Sequence, residues 1–382
     1  MTSLFRRAVG SRFVVEDVRA ALVPWVVSRV VVILALATVR VAYDDFGRAP
    51  RPVQLAQGLF AWDAGLYRAI AEHGYTALPK ATLRFFPLVP LLSRGLGIVL
   101  AGHTGVALIV IANLSALVFA ALLHRLALRE TGDADLAGRA AKFAVLFPPA
   151  VSLVLGYAEA MAMVLAVGMF LALRTRRWGT AALLGLLAGL CRPVGGLLVL
   201  PALVVVAQAW FAGGGSVIAW RVRLRQVAAV VAPAVGIAIF LLYAGIQFGD
   251  AMLPITVQNR ATLRGGFEDP FSRIVRAFGD LVGPHFGSGF HIVWAIVFAG
   301  LLVVVARRLP ASYTAYAAAA LILGLSAHNL DSFERYCMST FPFLLGVAFL
   351  TRRKQVERCA LLLASAGLFG YSVLTFLGRW VP

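Results

Sequence analysis

The sequence predicts an all-α protein, a polytopic transmembrane helical bundle. Hydrophobic residues make up 61% of the 382 residues and charged residues only 14%, whereas about a quarter of a soluble domain is charged. Long apolar runs recur from Ala21 to Leu377. They are continuously apolar over helical lengths and do not alternate as membrane β-strands do. Residues 1–382 are therefore predicted to form a single integral membrane domain.

The net charge of +18 is distributed in a way that favours a membrane partner over nucleic acid. Basic residues occur in short clusters between apolar runs and do not form the continuous stripe that binds nucleic acid. Such clusters are typical of cytoplasmic loops, where they also attract anionic lipid. We expect no nucleic-acid partner. The clusters are residues 174–177 (RTRR), 221–225 (RVRLR), 307–308 (RR) and 352–354 (RRK).

The charge pattern also predicts the topology. The first apolar stretch, residues 21–43, is too long for a cleaved signal peptide and should remain as an anchor. The four arginines before it predict a cytoplasmic N-terminus in the cell (plasma) membrane: Arg6, Arg7, Arg12 and Arg19. Eleven crossings then place every basic cluster inside. They are residues 21–43, 104–123, 143–157, 158–173, 178–191, 194–211, 226–248, 289–306, 311–327, 339–351 and 359–377.

Two long polar segments, residues 44–101 and 249–288, are predicted to form external loops. In the first, residues 59–73 have apolar side chains at helical spacing, which predicts an interfacial amphipathic helix. Residues 85–100 are apolar but carry Pro87, Pro90 and an arginine. If this segment crossed the bilayer, every later loop would change sides. The positions of the basic clusters instead favour a segment that lies in or dips into the interface.

Asp63 is the leading catalytic candidate because it lies between the aromatic anchor Trp62 and small residues in the first external loop. A carboxylate held at the interface could act as a general base on a hydroxyl nucleophile. Two simpler interpretations are open, namely that Asp63 caps a helix or that it pairs with Arg68.

Further ionisable residues collect on the predicted external side. Charged groups at membrane depth are costly and usually face a cavity or a partner. Arg335 could bind a phosphate through two hydrogen bonds, and His328 could bind a sugar or a phosphate. The alternative is that these residues are hydrated loop charges that end the helices. Candidate donor-binding residues are Arg84, Tyr157, Glu159, Arg192, His328 and Arg335, and candidate acceptor-binding or supporting residues are Trp62, Glu72, His73, Glu334 and Tyr336.

Cofactor chemistry has no support in the sequence. No glycine-rich phosphate loop, HExxH or CxxC motif occurs, so we expect neither a metal nor a nucleotide cofactor. The cysteines Cys191, Cys337 and Cys359 form neither a spaced framework nor a metal motif, and we interpret them as small apolar residues.

Several motifs resemble the PIG-V type (GPI mannosyltransferase II-like) family. The motifs are residues 62–67 (WDAGLY), 70–75 (IAEHGY), 84–92 (RFFPLVPLL), 113–114 (NL), 147–149 (FPP), 156–159 (GYAE), 191–195 (CRPVG) and 334–336 (ERY). They extend over most of residues 20–350. Arginine far outnumbers lysine, as in GC-rich bacterial genomes, so the chain would be a bacterial member. Ala61 replaces a histidine that is common before the tryptophan-aspartate pair in eukaryotes, and Ala158 and Ala160 also depart from their pattern.

The resemblance implies a GT-C architecture and a polyprenyl-phosphate-mannose donor. It maps the catalytic base of the first external loop onto Asp63, with arginines such as Arg84, Arg192 or Arg335 on the departing phosphate. The implied activity is transfer of mannose to a lipid-linked or glycan-linked acceptor outside the cytoplasm. Two alternatives are open. A transporter or flippase of lipid-linked saccharides is compatible with Pro233 and Gly195, although such proteins usually carry repeats. A scaffold subunit would not need Asp63.

Overall fold

The computed structural model describes residues 3–47, 50–211, 220–260, 263–282 and 289–379, with side chains from Val15 onward. The side chains of Arg6, Arg7 and Arg12, on which the predicted topology partly depends, lie outside the described residues. Over these ranges the regular structure is helical, and the only β-type pairing is an isolated bridge between Phe267 and Ala327.

The described α-helices follow one another along the chain, with 3-10 helices between several of them. The α-helices are α1 (Ser3–Phe46), α2 (Val53–Gln57), α3 (Asp63–His73), α4 (Leu88–Val99), α5 (Thr104–Thr131), α6 (Ala134–Leu146), α7 (Glu159–Arg174), α8 (Trp178–Cys191), α9 (Val199–Phe211), α10 (Trp220–Phe248), α11 (Leu253–Thr256), α12 (Pro270–Val282), α13 (His291–Arg308), α14 (Ala311–Leu325), α15 (Phe333–Met338), α16 (Pro342–Leu350) and α17 (Lys354–Phe376). The 3-10 helices are Gly58–Phe60, Lys80–Arg84, Pro148–Leu153, Pro193–Leu198 and Val257–Asn259.

Six of the described helices are long and apolar enough to cross a membrane. This confirms the predicted polytopic bundle, while the number of eleven crossings stays a prediction. The segment 85–100 forms α4, whose 12 residues extend about 18 Å. The hydrocarbon core is about 30 Å thick, so α4 is too short to span it alone. The six helices are Val15–Phe46, Thr104–Thr131, Pro193–Phe211, Trp220–Phe248, His291–Arg308 and Lys354–Phe376.

Proline residues set helix boundaries in three of the segments that the sequence predicted to be spans. The predicted span 143–157 changes from α6 to a 3-10 helix at Pro148, and the predicted span 194–211 begins as the 3-10 helix Pro193–Leu198. The predicted span 339–351 begins its α-helix only at Pro342. Proline lacks a backbone N–H and suits the first turn of a helix better than its interior, although Pro24 in α1 and Pro233 in α10 lie inside their helices. Each of these helices therefore begins at the proline and does not run through it.

Close helix packing fixes the bundle around the site. A Cβ on Gly189 of α8 would lie 2.1 Å from the carbonyl oxygen of Pro233, and one on Gly236 of α10 would lie 2.2 Å from that of Leu186. The absence of side chains at these glycines thus lets α8 and α10 approach closely. Because α8 ends next to Arg192, this packing also fixes the position of that arginine.

A partly buried polar contact joins α1 to the segment that leads to Tyr157. The Arg29 guanidinium donates to Asn113 Oδ1 at 3.0 Å and to the Leu153 carbonyl at 3.0 Å. The Asn113 side chain in turn donates to the Val154 carbonyl at 3.0 Å. Charged side chains at this depth usually have such partners. These bonds satisfy carbonyls at the end of the 3-10 helix Pro148–Leu153, so that the chain turns there towards Tyr157.

Candidate active site

The chain between α2 and α3 fixes Asp63 at a sharp turn. The backbone of Trp62 has φ +58°, a conformation that is uncommon for a residue with a side chain and that surrounding contacts must hold. The Trp62 Nε1–H donates to the Thr375 carbonyl on α17 at 3.0 Å. The Asp63 backbone N–H donates to the Tyr157 hydroxyl at 3.3 Å. Because α3 begins at Asp63, these two bonds hold the start of that helix to α17 and to Tyr157.

The Asp63 carboxylate faces two arginines from distant parts of the chain. Its Oδ2 lies 3.0 Å from Arg335 Nη1 and its Oδ1 lies 3.4 Å from Arg84 Nη2. Its side chain is 20% exposed, so that a ligand can reach it. Arg68 pairs instead with Glu72 at 2.8 Å. The structure therefore replaces the predicted alternative, a pair between Asp63 and Arg68, with an arrangement in which Asp63 faces Arg335 and Arg84.

A second carboxylate, Glu159, lies behind Asp63 and joins two of the arginines. Glu159 is the first residue of α7 and is 1% exposed. Its Oε1 lies 2.7 Å from Arg192 Nη1 and 3.3 Å from Arg335 Nη1. Arg335 Nη1 thus contacts both Asp63 and Glu159. Burial lowers the pKa of Arg335, but the neighbouring groups, with Glu159 the strongest of them, together outweigh burial and hold that pKa well above the ordinary arginine value.

Three guanidinium groups surround the ring of Tyr336. Their central carbons lie 4.5 Å (Arg264), 5.1 Å (Arg335) and 5.5 Å (Arg192) from the ring centroid, within the range of cation–π interactions. Burial raises the pKa of the Tyr336 phenol, but the three arginines together outweigh burial and lower that pKa below its ordinary value. Three positive charges are thus held around one ring, and Glu159 is the carboxylate in contact with two of them.

Two of these arginines have buried donors that are free to bind a ligand. Among the described residues, the Nε atoms of Arg264 and Arg335 are buried without a hydrogen-bond partner. Buried donors are nearly always paired in folded proteins, and exceptions need a physical explanation. An anion bound between Arg264 and Arg335 would supply the missing acceptors.

These side chains lie along a cavity of about 810 Å³. Ligand pockets usually measure about 300–1,000 Å³, so the volume suits a headgroup with part of a lipid. Charged residues line one part of the wall and apolar residues another. The charged and polar part includes Asp63, Arg84, Glu159, Arg192, Arg264, Arg335 and Tyr336, and the apolar part includes Pro254, Ile255, Leu263, Phe267, Ile322 and Leu323.

The cavity wall contains some but not all of the residues predicted from the sequence. Trp62, Asp63, Arg84, Glu159, Arg192, Arg335 and Tyr336 line it. Tyr157 is buried behind the wall, where its hydroxyl contacts the Asp63 backbone and its ring lies 5.2 Å from the Arg335 guanidinium.

Four predicted residues lie elsewhere. Glu72 forms its pair with Arg68 on the surface, and the neighbouring His73 side chain is 61% exposed. His328 is 57% exposed and lies 3.3 Å from Glu268. Glu334 is 1% exposed and contacts His291 Nδ1 at 2.7 Å. The predicted roles of these four in donor or acceptor binding have no support from the cavity geometry.

Arg264 is the main site residue that the sequence reasoning did not select. It belongs to the segment 249–288, the second predicted external loop, and it shares the cavity wall with Asp63 and Arg335. Arginine is disfavoured in loops predicted to be outside the membrane. Arg260 and Arg264 depart from that rule, which is the signal that could have identified Arg264.

Metal binding has no structural counterpart in the described part of the chain, where no group of three His, Cys, Asp or Glu side chains is arranged to hold an ion. Whether the protein needs a metal stays a prediction from the sequence.

Comparison with known proteins identifies the fold. No protein family matches the sequence, and no curated protein does. Among solved structures, ArnT from Cupriavidus metallidurans bound to undecaprenyl phosphate aligns over 97% of this chain and 76% of its own, with 16% identity and a TM-score of 0.51. This chain has the ArnT fold. The prediction of a GT-C-like helical bundle is thereby confirmed, whereas membership of the PIG-V type family stays a prediction.

Two structures of an archaeal oligosaccharyltransferase from Archaeoglobus fulgidus also match. One, in complex with zinc and sulfate, has 14% identity and a TM-score of 0.42. The other, AglB with an inhibitory peptide and a dolichol-phosphate, has 12% identity and the same TM-score. The alignments cover 91% and 93% of this chain. The chain spans about half the length of these two proteins, 52% and 56%.

Proposed function

We propose that this protein is a membrane glycosyltransferase that transfers a mannosyl residue from a polyprenyl-phosphate-mannose donor to a lipid-linked or glycan-linked acceptor outside the cytoplasm. The observation that carries the proposal is the position of Asp63, a partly exposed carboxylate in the wall of a large cavity next to a group of arginines. A general base and an anion-binding site are the two parts that this reaction requires.

The arginine group supports binding of the donor phosphate. Arg192, Arg264 and Arg335 surround Tyr336, and the Nε atoms of Arg264 and Arg335 are free to donate. Guanidinium groups match the geometry of phosphate oxygens and stay charged when buried. ArnT, which has the same fold, was solved with undecaprenyl phosphate bound, a lipid phosphate of the proposed class. The apolar part of the cavity wall would accommodate the first isoprenoid units.

The chemical step would be a single displacement at carbon one of the sugar. The acceptor hydroxyl oxygen forms the new bond to carbon one while the bond from that carbon to the phosphate oxygen breaks. The bonding electrons leave with the phosphate, where Arg264 and Arg335 stabilise the charge. Asp63 accepts the hydroxyl proton. A β-linked donor would then give an α-linked product, and the second product is polyprenyl phosphate.

The ion pairs of Asp63 suggest an order of binding. Without a ligand, Arg335 and Arg84 both contact the Asp63 carboxylate and occupy its two oxygens. A donor phosphate would compete for the same guanidinium groups. Donor binding would thereby free Asp63 to accept a proton from the acceptor, which would bind second.

The choice of mannose rests on the resemblance of residues 62–67 and 84–92 to the PIG-V type family. A bacterial member would not build a GPI anchor, so the acceptor is expected to be an envelope lipid or glycan. Ala61, Ala158 and Ala160 lie in motifs where the eukaryotic pattern differs, and they are candidates for a change in acceptor specificity.

The test uses the purified protein in lipid nanodiscs with radiolabelled polyprenyl-phosphate-mannose and a membrane extract as the acceptor source. We expect label to move from the donor to an acceptor. The Asp63→Asn variant should lose this transfer by about 10²–10⁴-fold, the usual contribution of a general base. It should still bind the donor, because the arginine group is intact and a competing carboxylate charge is removed.

Glu72→Gln is the matched control, since Glu72 belongs to the same loop but forms a surface pair with Arg68. Its transfer rate should equal that of the unmodified protein.

Transfer from polyprenyl-phosphate-glucose but not from the mannose donor would mean that the donor sugar is glucose, while the proposed type of reaction would stand. Normal transfer by the Asp63→Asn variant would show that Asp63 is not the general base. Movement of lipid-linked saccharide across vesicles without any transfer would favour the transporter alternative.

A further inference from the structure

The amphipathic helix α12 in the second external loop has three distinct faces. Its buried face carries Arg273 (3% exposed) and Ala277 (0%). A second face carries Ser272, Arg276 and Gly279, which are exposed and polar or small. Between these lies a stripe of exposed apolar side chains at helical spacing: Phe271 (80% exposed), Val275 (72%), Phe278 (49%) and Val282 (88%).

Successive residues of a helix are about 100° apart, so the four apolar side chains fall within an arc of about 60°. Ser272, Arg276 and Gly279 occupy the adjacent arc. An isolated exposed apolar residue needs no explanation, but a continuous apolar stripe with a polar stripe beside it is typical of a helix at a membrane surface.

The position of α12 in the fold indicates what covers the stripe. The helix contacts α13 and α14, and the free surface of α13 is apolar as well, with Ile296 58% and Val303 49% exposed. Because α13 is long and apolar enough to cross the bilayer, its free surface faces lipid. The stripe on α12 therefore continues a lipid-facing surface at the end of the bundle that holds the cavity.

The polar contacts of α12 connect it to the rim of the cavity. Arg276 donates to His328 at 3.0 Å and also pairs with Glu268. The backbone N–H of Glu268 donates to the Ser326 carbonyl at 3.0 Å, next to the bridge between Phe267 and Ala327. Phe267 and Ala327 line the cavity. The position of α12 relative to the bilayer surface would therefore determine where this part of the cavity rim lies.

We propose that α12 lies along the surface of the phospholipid bilayer on the cavity side, with Phe271, Val275, Phe278 and Val282 among the acyl chains. Arg276 would lie at the level of the headgroups, where its charge favours anionic lipid. The helix would thereby hold the cavity rim at the membrane surface. The proposal does not depend on which reaction the protein catalyses.

The experiment measures the surroundings of single cysteines on α12 in a Cys359→Ser background, which leaves only the buried Cys191 and Cys337. Cysteines replace Phe271 or Val275 on the apolar stripe and Ser272 or Gly279 on the polar face. A Cβ on Gly279 meets open space, so this control should fold normally. Each variant carries an environment-sensitive fluorophore in vesicles of phosphatidylcholine and phosphatidylglycerol.

We expect the labels at Phe271 and Val275 to lose fluorescence to lipids that carry a nitroxide near the headgroup end of the chain, and to resist aqueous iodide. The labels at Ser272 and Gly279 should behave in the opposite way. Because the fluorophore is itself apolar, the unlabelled cysteines are also reacted with a charged maleimide, which should modify Gly279→Cys faster than Phe271→Cys.

Two results would overturn the proposal. Quenching of all four labels by iodide would place the stripe in water. Protection of Phe271→Cys and Val275→Cys from both lipid nitroxide and iodide would mean that a protein partner or a second copy of this chain covers the stripe.

Discussion

At the end of the bundle away from the cavity, buried carboxylates are fully paired with cations on neighbouring helices. Asp17 accepts from His124 Nδ1 and from Arg125 Nε, both at 2.7 Å. Glu130 accepts two hydrogen bonds from Arg174, at 2.7 and 3.0 Å. In each case both carboxylate oxygens are satisfied, and the pairs join α1 to α5 and α5 to α7.

The cavity end contains the same types of residue, but there the arginines outnumber the carboxylates. Glu159 pairs with Arg192 and Arg335, and Asp63 faces Arg335 as well. Arg264 adds a further charge, and buried guanidinium donors are left over. The comparison shows that burial of charged pairs alone does not identify a site. A site is indicated instead by an excess of charge of one sign next to a cavity, because such an excess is stable only if a ligand or water can balance it.

The prediction with the largest expected effect tests which side of the membrane each end of the bundle faces. In intact cells, a cysteine at Gly279 should react completely with an impermeant reagent, and one at Arg223 should not react. Gly279 suits this replacement because a Cβ there meets open space. Cys359, which is exposed, should stay unmodified until the cells are opened. Reversed labelling would place the cavity in the cytoplasm.

The second prediction compares one arginine from each end. Arg335→Lys keeps the charge but loses the paired donors of the guanidinium, so kcat/KM for the donor should fall about 10–100-fold, which corresponds to the 1.5–3 kcal/mol of a hydrogen bond to a charged group. Arg174→Lys changes the same residue type in the pair with Glu130 and should leave kcat/KM unchanged. Equal losses in both variants would mean that the two ends do not differ in function.

The sequence was sufficient for the parts of this comparison that depend on local pattern. Long apolar runs predict the helical bundle, and the unusual pair Trp62-Asp63 in a polar loop singles out the leading candidate. It was not sufficient where neighbouring residues point in different directions. On α15, Arg335 and Tyr336 line the cavity, while Glu334 contacts His291 on the other side. Adjacent side chains on a helix are about 100° apart, and packing alone decides which of them reaches the site.

Long-range contacts account for the remaining differences. Arg335 is 272 residues from Asp63 along the chain, and no local pattern specifies that pair. His328 was selected for its polar neighbours, but its backbone N–H donates to the Gly266 carbonyl, which directs the segment towards α12. Pro148 and Pro342 were visible in the sequence, and their effect on helix boundaries could have been predicted.

The last and smallest prediction compares one buried glutamate from each end, Glu159 and Glu130. Glu159→Gln removes the negative charge that holds Arg192 and Arg335 together, and it should lower the apparent melting temperature because buried positive charge is left unbalanced. Undecaprenyl phosphate should restore more of that temperature in Glu159→Gln than it adds to the unmodified protein, since a bound anion replaces the missing charge and binding stabilises the folded state.

Glu130→Gln provides the contrast from the opposite end. It should also lower the melting temperature, because Glu130 is 4% exposed and binds Arg174 through both oxygens. The lipid phosphate should then add no more than it adds to the unmodified protein, since no cavity adjoins that pair. If undecaprenyl phosphate stabilised both variants equally, its effect would be a general one of the lipid, and the arginines near Glu159 would not be its binding site.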